Sequence, residues 1–568
     1  MPAPTVQQIY DLALQHHRAG RLQQAESLYR QILSAHPNHP DTLQMLGGIA
    51  FLTGRHPAAL DLIRRAIAIN PSAPDYHSNL AIVLASTGQP DAAIQSLRQA
   101  LTLRPDYPEA LYNLAKLLAH QNHLDEAIAT YQHTLRIQPV FPEAHNNLAE
   151  LLRRAGRAGE ALSSLHDALK QRRNFPEALF NLSLTLADLD RLEEALAVLT
   201  ELLRLSPNSP EANNELGNVL RELNRPRVAL SAHQRAVALR PDFHQARWQT
   251  ALCHLTLGEF EQGWALYESR RQLPDWIEPH FPQPQWTGTS LAGQRLLLWS
   301  EQGFGDTLQF IRYAPLLTAQ GAHVILRCQR PLARLLTGQL TITEIVADGD
   351  PLPPFDLHYP LLSLPHLLHT TVETIPNSTP YLSPDPNRVA EWRNRILSSS
   401  PPHSLPLSPP LAKVGVAWAT NLLPKSALKR WINPSALTQL AAIPNTQFYS
   451  LQKPPPNAPP LPAPPGLNLI DFTNQLHDFA DTAALIAQLD LVITCDTAVA
   501  HLAGAMGKPT WIALPFAAPW RWMQGRLDSP WYPTVRLFRQ SVPNDWSTPL
   551  RQIAAELALG SAGNVSTS

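Results

Sequence analysis

Hydrophobic positions follow two different rhythms along this chain. Through the first 270 residues, small side chains recur on one frame: Ala25, Ala59, Ala93, Ala127, Ala161, Ala195 and Ala229 stand at successive intervals of 34 residues. A second row holds Ala66, Ala100, Ala168 and Ala236, with Ile32 and Thr134 at two of its positions. Pro37, Pro71, Pro105, Pro139, Pro207 and Pro241 keep the same spacing, and Arg173 fills the one gap. Small residues at fixed places let two antiparallel helices approach closely, and a proline ends the second helix of a pair before the next begins. The pattern predicts about seven helix pairs and a degenerate eighth around residues 248–270.

Beyond residue 294 the apolar residues come in short unbroken runs. LLLWSE, HVILRC and TEIVAD form one group; KVGVAWAT, FYSLQ, LNLIDF, LVITCD, PTWIALP and VRLFRQ form another. Such runs suit strands buried on both faces, as in parallel sheets covered by helices. Periodicity is lost in 271–294, a connector whose Trp276 and Trp286 predict that it packs down. A proline-rich break at 396–410 separates the two groups. The expected boundaries are therefore 1–270 for the solenoid, 271–294 for the connector and 295–395 for a first α/β lobe. The linker 396–410, a second lobe at 411–558 and a tail at 559–568 complete the chain.

The 34-residue unit resembles the tetratricopeptide repeat. Solenoids of that type present a concave surface suited to an extended peptide or another protein, so a protein or peptide partner is expected there. The competing role is dimerisation or support of the α/β part. Asn113, Asn147, Asn181 and Asn214 recur close to the same period, either as a ladder for peptide backbone or as inter-repeat hydrogen bonds.

Composition narrows the field without choosing a function. At 568 residues the chain exceeds one core. A formal net charge of -1, with 16% charged residues and no basic stripe, argues against nucleic acid as the main partner. Cys253, Cys328 and Cys495 lie far apart in apolar segments and read as buried thiols of a reducing compartment, without metal-ligand spacing. The start MPAPTVQQIYDLALQHHRAG lacks the pattern of a signal peptide, and no apolar run is long enough to span a bilayer. A cytoplasmic protein is expected, with peripheral membrane association left open.

Two turns carry the candidate chemistry. In LLLWSEQGFGDTLQFIR, a buried strand breaks at Gly303 and Gly305, residues free to take unusual backbone angles, and Asp306 stands where it would cap the helix beginning at Thr307. That aspartate is either only a cap or a carboxylate at the carboxyl edge of a sheet, where open α/β folds bind ligands. In LVITCDTAVAHLAGAMGKPTWIAL, Asp496, Thr497 and Ala498 fall at a helix start, where free N–H groups and the helix dipole favour a diphosphate. His501 lies one turn further on the same face as Thr497.

EQGFGDTLQFIRY, CDTAVAHLAGAMGKPTW and WRWMQGRLDSPWYPTVRLFRQ together resemble the C-terminal region of bacterial tetratricopeptide-repeat proteins related to the ADP-heptose:lipopolysaccharide heptosyltransferases, over roughly residues 290–555. The resemblance implies an α solenoid of tetratricopeptide repeats followed by an α/β GT-B fold of two Rossmann-like lobes. It further implies a metal-independent, inverting glycosyltransferase that moves a sugar from a nucleotide-diphosphate donor to a hydroxyl of a protein or glycan acceptor. By the family pattern Asp306 is the base, and a lysine of the K-x-W stretch, Lys429 here, meets the leaving diphosphate. Lys425, Arg430 and Arg521 rank behind it. The related enzymes read DTG-x-x-H where this chain has Ala498, a methyl group near the expected phosphate. No cofactor is implied beyond the nucleotide sugar itself. The alternative is a non-catalytic repeat scaffold with a degenerate GT-B binding module.

Trp520, Trp522 and Trp531 read mainly as core, with stacking on a base or sugar ring as the competing role. Asp348-Gly349-Asp350 reads as a turn. Gln302 and Gln309 flank the first turn, either as partners of sugar or phosphate or as surface residues.

Overall fold

The computed structural model describes residues 4–399, 412–420, 429–454 and 461–562. The chain divides into two compact units, Met1–Asn208 and Ser209–Ser568.

The first unit is built of paired helices, from Val6–Arg18 to Leu192–Leu205. Ala25, Ala59, Ala93, Ala127, Ala161 and Ala195 are all fully buried, so the periodic row is the seam between paired helices. The prolines of that period follow the second helix of each pair, and a second set, Pro40, Pro74, Pro108, Pro142 and Pro176, opens the next helix at its first position. A missing N–H costs nothing there. A third periodic row joins the helices within each pair. Gly20, Gly54, Gly88 and Gly156 take φ between 71° and 76°, and Asn122 and Asp190 stand in register with them at φ 63° and 60°. Only residues that tolerate the left-handed conformation close this turn without strain. Of the asparagine row, Asn147 donates to the hydroxyls of Tyr112 (3.1 Å) and Tyr131 (3.3 Å), and Asn181 donates to Asn146 Oδ1 (2.9 Å). These two thus hold neighbouring helices together.

The second unit opens with two more helix pairs, from Pro210–Glu222 to Phe260–Tyr267. Two parallel sheets follow. In the first, β1 (Arg295–Trp299), β2 (His323–Cys328), β3 (Glu344–Ala347) and β4 (Leu357–Pro360) lie in the order β3-β2-β1-β4, with Leu296 opposite both Val324 and Leu357. In the second, β5 (Ala412–Ala417), β6 (Thr446–Ser450), β7 (Leu469–Asp471), β8 (Leu491–Thr494), β9 (Thr510–Leu514) and β10 (Val535–Arg539) lie in the order β10-β9-β8-β5-β6-β7. The strand order reverses at β1/β4 and at β5/β8. These switch points are where crevices open at the carboxyl ends of the strands.

The degenerate eighth repeat is a wedge. Trp264 is 2% exposed and meets Phe310, Trp520 and Trp531 edge-to-face, so one core joins the last helix pair to both sheets. The connector packs down through Trp286, whose backbone N–H donates to His358 O and whose ring N–H donates to Thr289 O. The helix Pro386–Ser399, in the stretch assigned to the first lobe and the linker, packs on the helix Phe479–Ala487, with Arg388 paired to Asp481. The final helix, Ser547–Ala562, runs beyond residue 558. The described residues include no helix long and apolar enough to cross a membrane.

Candidate active site at the two switch points

After β1 the chain turns into the helix Phe304–Phe310, which starts upstream of Asp306. Gly303, in an extended conformation, is the N-cap, and Asp306 occupies the third helical position, where its Oδ2 accepts the Gly303 N–H at 3.0 Å. The sequence reading of Asp306 as the cap itself is therefore corrected: an acidic side chain in the first turn can reach back to the cap backbone. Neither Gly303 nor Gly305 has positive φ. What Gly305 provides is room, since a Cβ there would stand 2.7 Å from His501 Cδ2. The glycine is required by the close approach of the helix Ala498–Ala505 and not by the turn.

That second helix follows β8, with Thr497 as an extended N-cap and Ala498 as its first residue. Thr497 Oγ1 lies 3.1 Å from Thr494 Oγ1. Asp496, only 4% exposed, accepts from Trp522 Nε1 at 2.7 Å and from Arg430 Nη1 at 2.9 Å. His501 is equally buried, stacks on Trp522 at 5.3 Å and shares a hydrogen bond with the Tyr532 hydroxyl at 3.0 Å. Its Nε2 is 4.0 Å from Asp496 Oδ1. Expected beside a phosphate, His501 instead fills the contact between the two helices.

Arg521 completes the cluster by pairing with Asp306 across the interval between the lobes, its guanidinium lying over the Trp520 ring. Burial opposes charge on Arg521, yet Asp306, Tyr267 and Asp496 outweigh it and hold the guanidinium above its ordinary value. Burial likewise opposes charge on Asp496, but Arg430, His501 and Arg521 keep the carboxyl below its ordinary value. Burial drives the His501 imidazole down to about 4 against the attraction of Asp496, so the ring is neutral near pH 7. Two carboxylates and two guanidiniums thus alternate around the starts of two helices.

Lys429 is not brought into this group: it pairs with Glu222 on a repeat helix. Its neighbour Arg430 is the cation that reaches Asp496, and Lys425 lies outside the described residues. Arg521 and Arg430, which rank behind Lys429 in the sequence, are the cations that pair with Asp306 and Asp496. Two aspartates that follow buried strands each require a cation, and Trp-Arg-Trp at 520–522 is a usable signal for one. Trp520, Trp522 and Trp531 are core, though Trp522 also steadies Asp496. Gln302 donates to the Tyr267 hydroxyl at 3.2 Å, while Gln309 is fully buried. Asp348 and Asp350 flank a turn glycine at φ 94° and pair with Arg327 and Arg330. Arg312 staples the lobes, its Nη2 donating to the Tyr381 hydroxyl at 2.9 Å with the Tyr532 ring 4.6 Å away.

Residues 16–82 and 84–151 match one family model of the tetratricopeptide repeat, and residues 146–210 and 214–272 match another. Residues 477–515 match glycosyltransferase family 9 (heptosyltransferase). The chain thus carries tetratricopeptide repeats in its N-terminal part, and a short stretch near its C-terminus matches the heptosyltransferase family. That segment contains Asp496, Thr497, Ala498 and His501; Asp306, Arg430 and Arg521 lie outside it.

The chain is 28% identical over 347 residues to Protein FlbA of Caulobacter vibrioides, an alignment covering 56% of this chain and 55% of FlbA. It therefore spans about half the length of that curated relative. Similar solved structures include YrrB, a tetratricopeptide-repeat protein with an unusual peptide-binding site, at 23% identity (32% of this chain, 95% of that one, TM-score 0.30). PilW, a type IV pilus biogenesis factor, is similar at 21% identity (38% and 98%, TM-score 0.34), and PilF of Pseudomonas aeruginosa at 19% (37% and 95%, TM-score 0.33).

Proposed function

We propose that this protein is a metal-independent, inverting glycosyltransferase that moves a sugar from a nucleotide-diphosphate donor to a hydroxyl on a protein or glycan. The observation that carries the reading is the meeting of Asp306, from the first sheet's switch point, with Arg521 beside the helix that follows the second sheet's switch point. In this mechanism Asp306 takes the proton of the acceptor hydroxyl. The hydroxyl oxygen bonds to the anomeric carbon as the bond from that carbon to the diphosphate breaks. The negative charge released on the diphosphate is met by Arg521 and by the free N–H groups at the start of the helix Ala498–Ala505.

Arg521 takes the part first given to Lys429, because Lys429 is engaged by Glu222 while Arg521 already touches the base. Donor binding then draws Arg521 from Asp306 and frees the carboxylate for the acceptor. The repeats recruit a protein or peptide, in keeping with the concave surface of such arrays, and the enzyme acts in the cytoplasm.

Thermal unfolding with ADP, GDP, UDP and CDP, and with their common sugars, tests this. A ligand at about a hundred times its dissociation constant stabilises by roughly 2.7 kcal/mol. A shift with one nucleotide is expected, lost in Arg521→Gln and kept in Lys429→Ala. No shift with any nucleotide would favour the scaffold alternative, and loss of the shift in Lys429→Ala alone would return the role to that lysine.

A further inference from the structure

The turn that carries Asp306 is held from outside both sheets, by the end of the last repeat. The helix Phe260–Tyr267 runs on into a short 3-10 turn, Glu268–Gln272. From that turn Arg270, 2% exposed, reaches both strands of the first switch point. Its Nε and Nη2 donate to the two oxygens of Glu301, just past β1, each at 3.0 Å. Nη2 also donates to Ser363 Oγ, just past β4, at 2.8 Å, and the Leu362 N–H donates to Glu301 Oε1 at 3.1 Å. A guanidinium that meets a carboxylate in two parallel bonds fixes direction as well as distance.

Tyr267, equally buried, touches the supports of both members of the Asp306–Arg521 pair. Its hydroxyl accepts from Gln302 Nε2 at 3.2 Å. The backbone oxygen of Gln302 accepts from Gln329 Nε2 at 2.8 Å, and Gln329 Oε1 accepts from the Thr307 hydroxyl at 2.9 Å. The segment from Glu301 to Thr307 is thus held at both ends, with Asp306 between them. The Tyr267 ring stands edge-on to Trp520 at 6.0 Å, and Trp520 bears the Arg521 guanidinium over its face at 4.6 Å. Burial holds the Tyr267 phenol above its ordinary value, while Arg270 and Arg521 draw it down and Asp306 pushes it up. The hydroxyl is therefore protonated and within electrostatic reach of both charges.

From these contacts we infer that Tyr267 and Arg270, at the end of the last repeat, are positioning residues of the reacting centre. The Tyr267 hydroxyl and Arg270 set the turn that carries Asp306; the Tyr267 ring sets Trp520 and, through it, Arg521. The base and its cation come from different lobes, so one side chain that touches the supports of both fixes the gap between them. The last repeat is then part of the catalytic unit as well as part of a recruiting surface. The words reacting centre rest on the transfer reading above.

The test uses the full chain and divides the two jobs of Tyr267. Tyr267→Phe keeps the ring and removes the hydroxyl; Gln302→Met breaks the same bond from the other side. Turnover is read as release of nucleoside diphosphate from the nucleotide sugar whose nucleotide raises the melting temperature, with water in place of the acceptor. In each variant kcat is expected to fall about tenfold, within the hundredfold that a misplacement of about 1 Å can cost. KM for the donor and the urea midpoint stay unchanged, because the ring still supports Trp520. The double variant is no slower than either single one, since both remove one bond. Unchanged kcat in Tyr267→Phe, a fall accompanied by an equal loss of stability, or losses that multiply in the double variant would each overturn the inference. A second readout needs no substrate: the Arg521 Nε–H resonance, assigned by its loss in Arg521→Gln, is expected to shift in both single variants. If no nucleotide sugar is bound or turned over, the transfer reading falls and this resonance decides alone. Movement in both variants would keep Tyr267 as the residue that positions the Asp306–Arg521 pair, and a resonance that stays in place would remove that role.

Discussion

The turns after β1 and β8 use one local device to opposite ends. Each follows a strand at a switch point, and each delivers an aspartate near the start of a helix. Asp306 lies inside its helix, returns one oxygen to the Gly303 N–H and offers the other to Arg521. Asp496 lies before its helix, and both of its oxygens are occupied, one by the Trp522 ring N–H and one by Arg430. In the proposed mechanism the first carboxylate exchanges Arg521 for a substrate; the second is fastened by a buried indole. Sequence position near a helix start thus does not separate a chemical group from a structural one. Each carboxylate has two partners, and it is their kind that differs: a backbone N–H and a guanidinium for Asp306, an indole N–H and a guanidinium for Asp496.

Substitution of each aspartate tests that contrast most strongly. Asp306→Asn keeps the shape and removes the proposed base, so on the transfer reading activity falls by a factor of roughly 10² to 10⁴ while folding and the nucleotide shift persist. Retained turnover in that variant would mean another group accepts the proton. Asp496→Ala has the reverse signature, a loss of about 3 kcal/mol in urea unfolding, because it orphans a buried indole N–H and strips Arg430 of its partner. A variant of Asp496 with wild-type stability and no turnover would place that carboxylate in the chemistry and erase the distinction.

Gly305 is where the two turns touch, and Gly305→Ala measures how rigid their contact is. The added methyl meets a ring that is stacked on Trp522 and bonded to Tyr532, so His501 has little room to retreat. Overpacking of this kind costs about 1–3 kcal/mol. An unchanged melting temperature would show that the helices separate readily.

Much of this was legible in the sequence, and the gaps have physical reasons. The alanine and proline rows gave away the helix pairs because one geometry repeats and its contacts repeat with it. The left-handed row is equally visible, but Gly20, Gly54, Gly88 and Gly156 share it with Asn122 and Asp190, so identity changes while conformation does not. Strand β4, LHYP, went unread because it is four residues long, ends in proline and lies at a sheet edge. At the site the aspartates were found from their helix starts. Their cations stand among the sequence candidates but behind Lys429, since Lys429 and Arg430 are adjacent in sequence and only the folded chain shows which one reaches Asp496 and which one meets Glu222.

The smallest effect concerns pH and separates the two turns again, because His501 is the titratable group packed between them. Its ring faces Asp496, Asp306, Arg521 and Arg312, and burial holds it at about 4, below the value near 6.5 of an exposed histidine. A group depressed on folding contributes stability that is complete above its unfolded value and is lost as the pH falls toward its folded one. Between pH 7.5 and 5.5 the unfolded chain takes up a proton that the folded chain refuses, so His501 accounts for a loss of about 1.4 kcal/mol. Burial holds His233 down as well, to about 3, and it adds a loss of the same sign, so the comparison is with His501→Gln and not with a flat line. Unfolding of that variant in urea at the two pH values is expected to show a decline smaller by about 1.4 kcal/mol. An equal decline in both proteins would mean that His501 takes a proton in the folded state, and that the contact between the turns is more open to water than its burial implies.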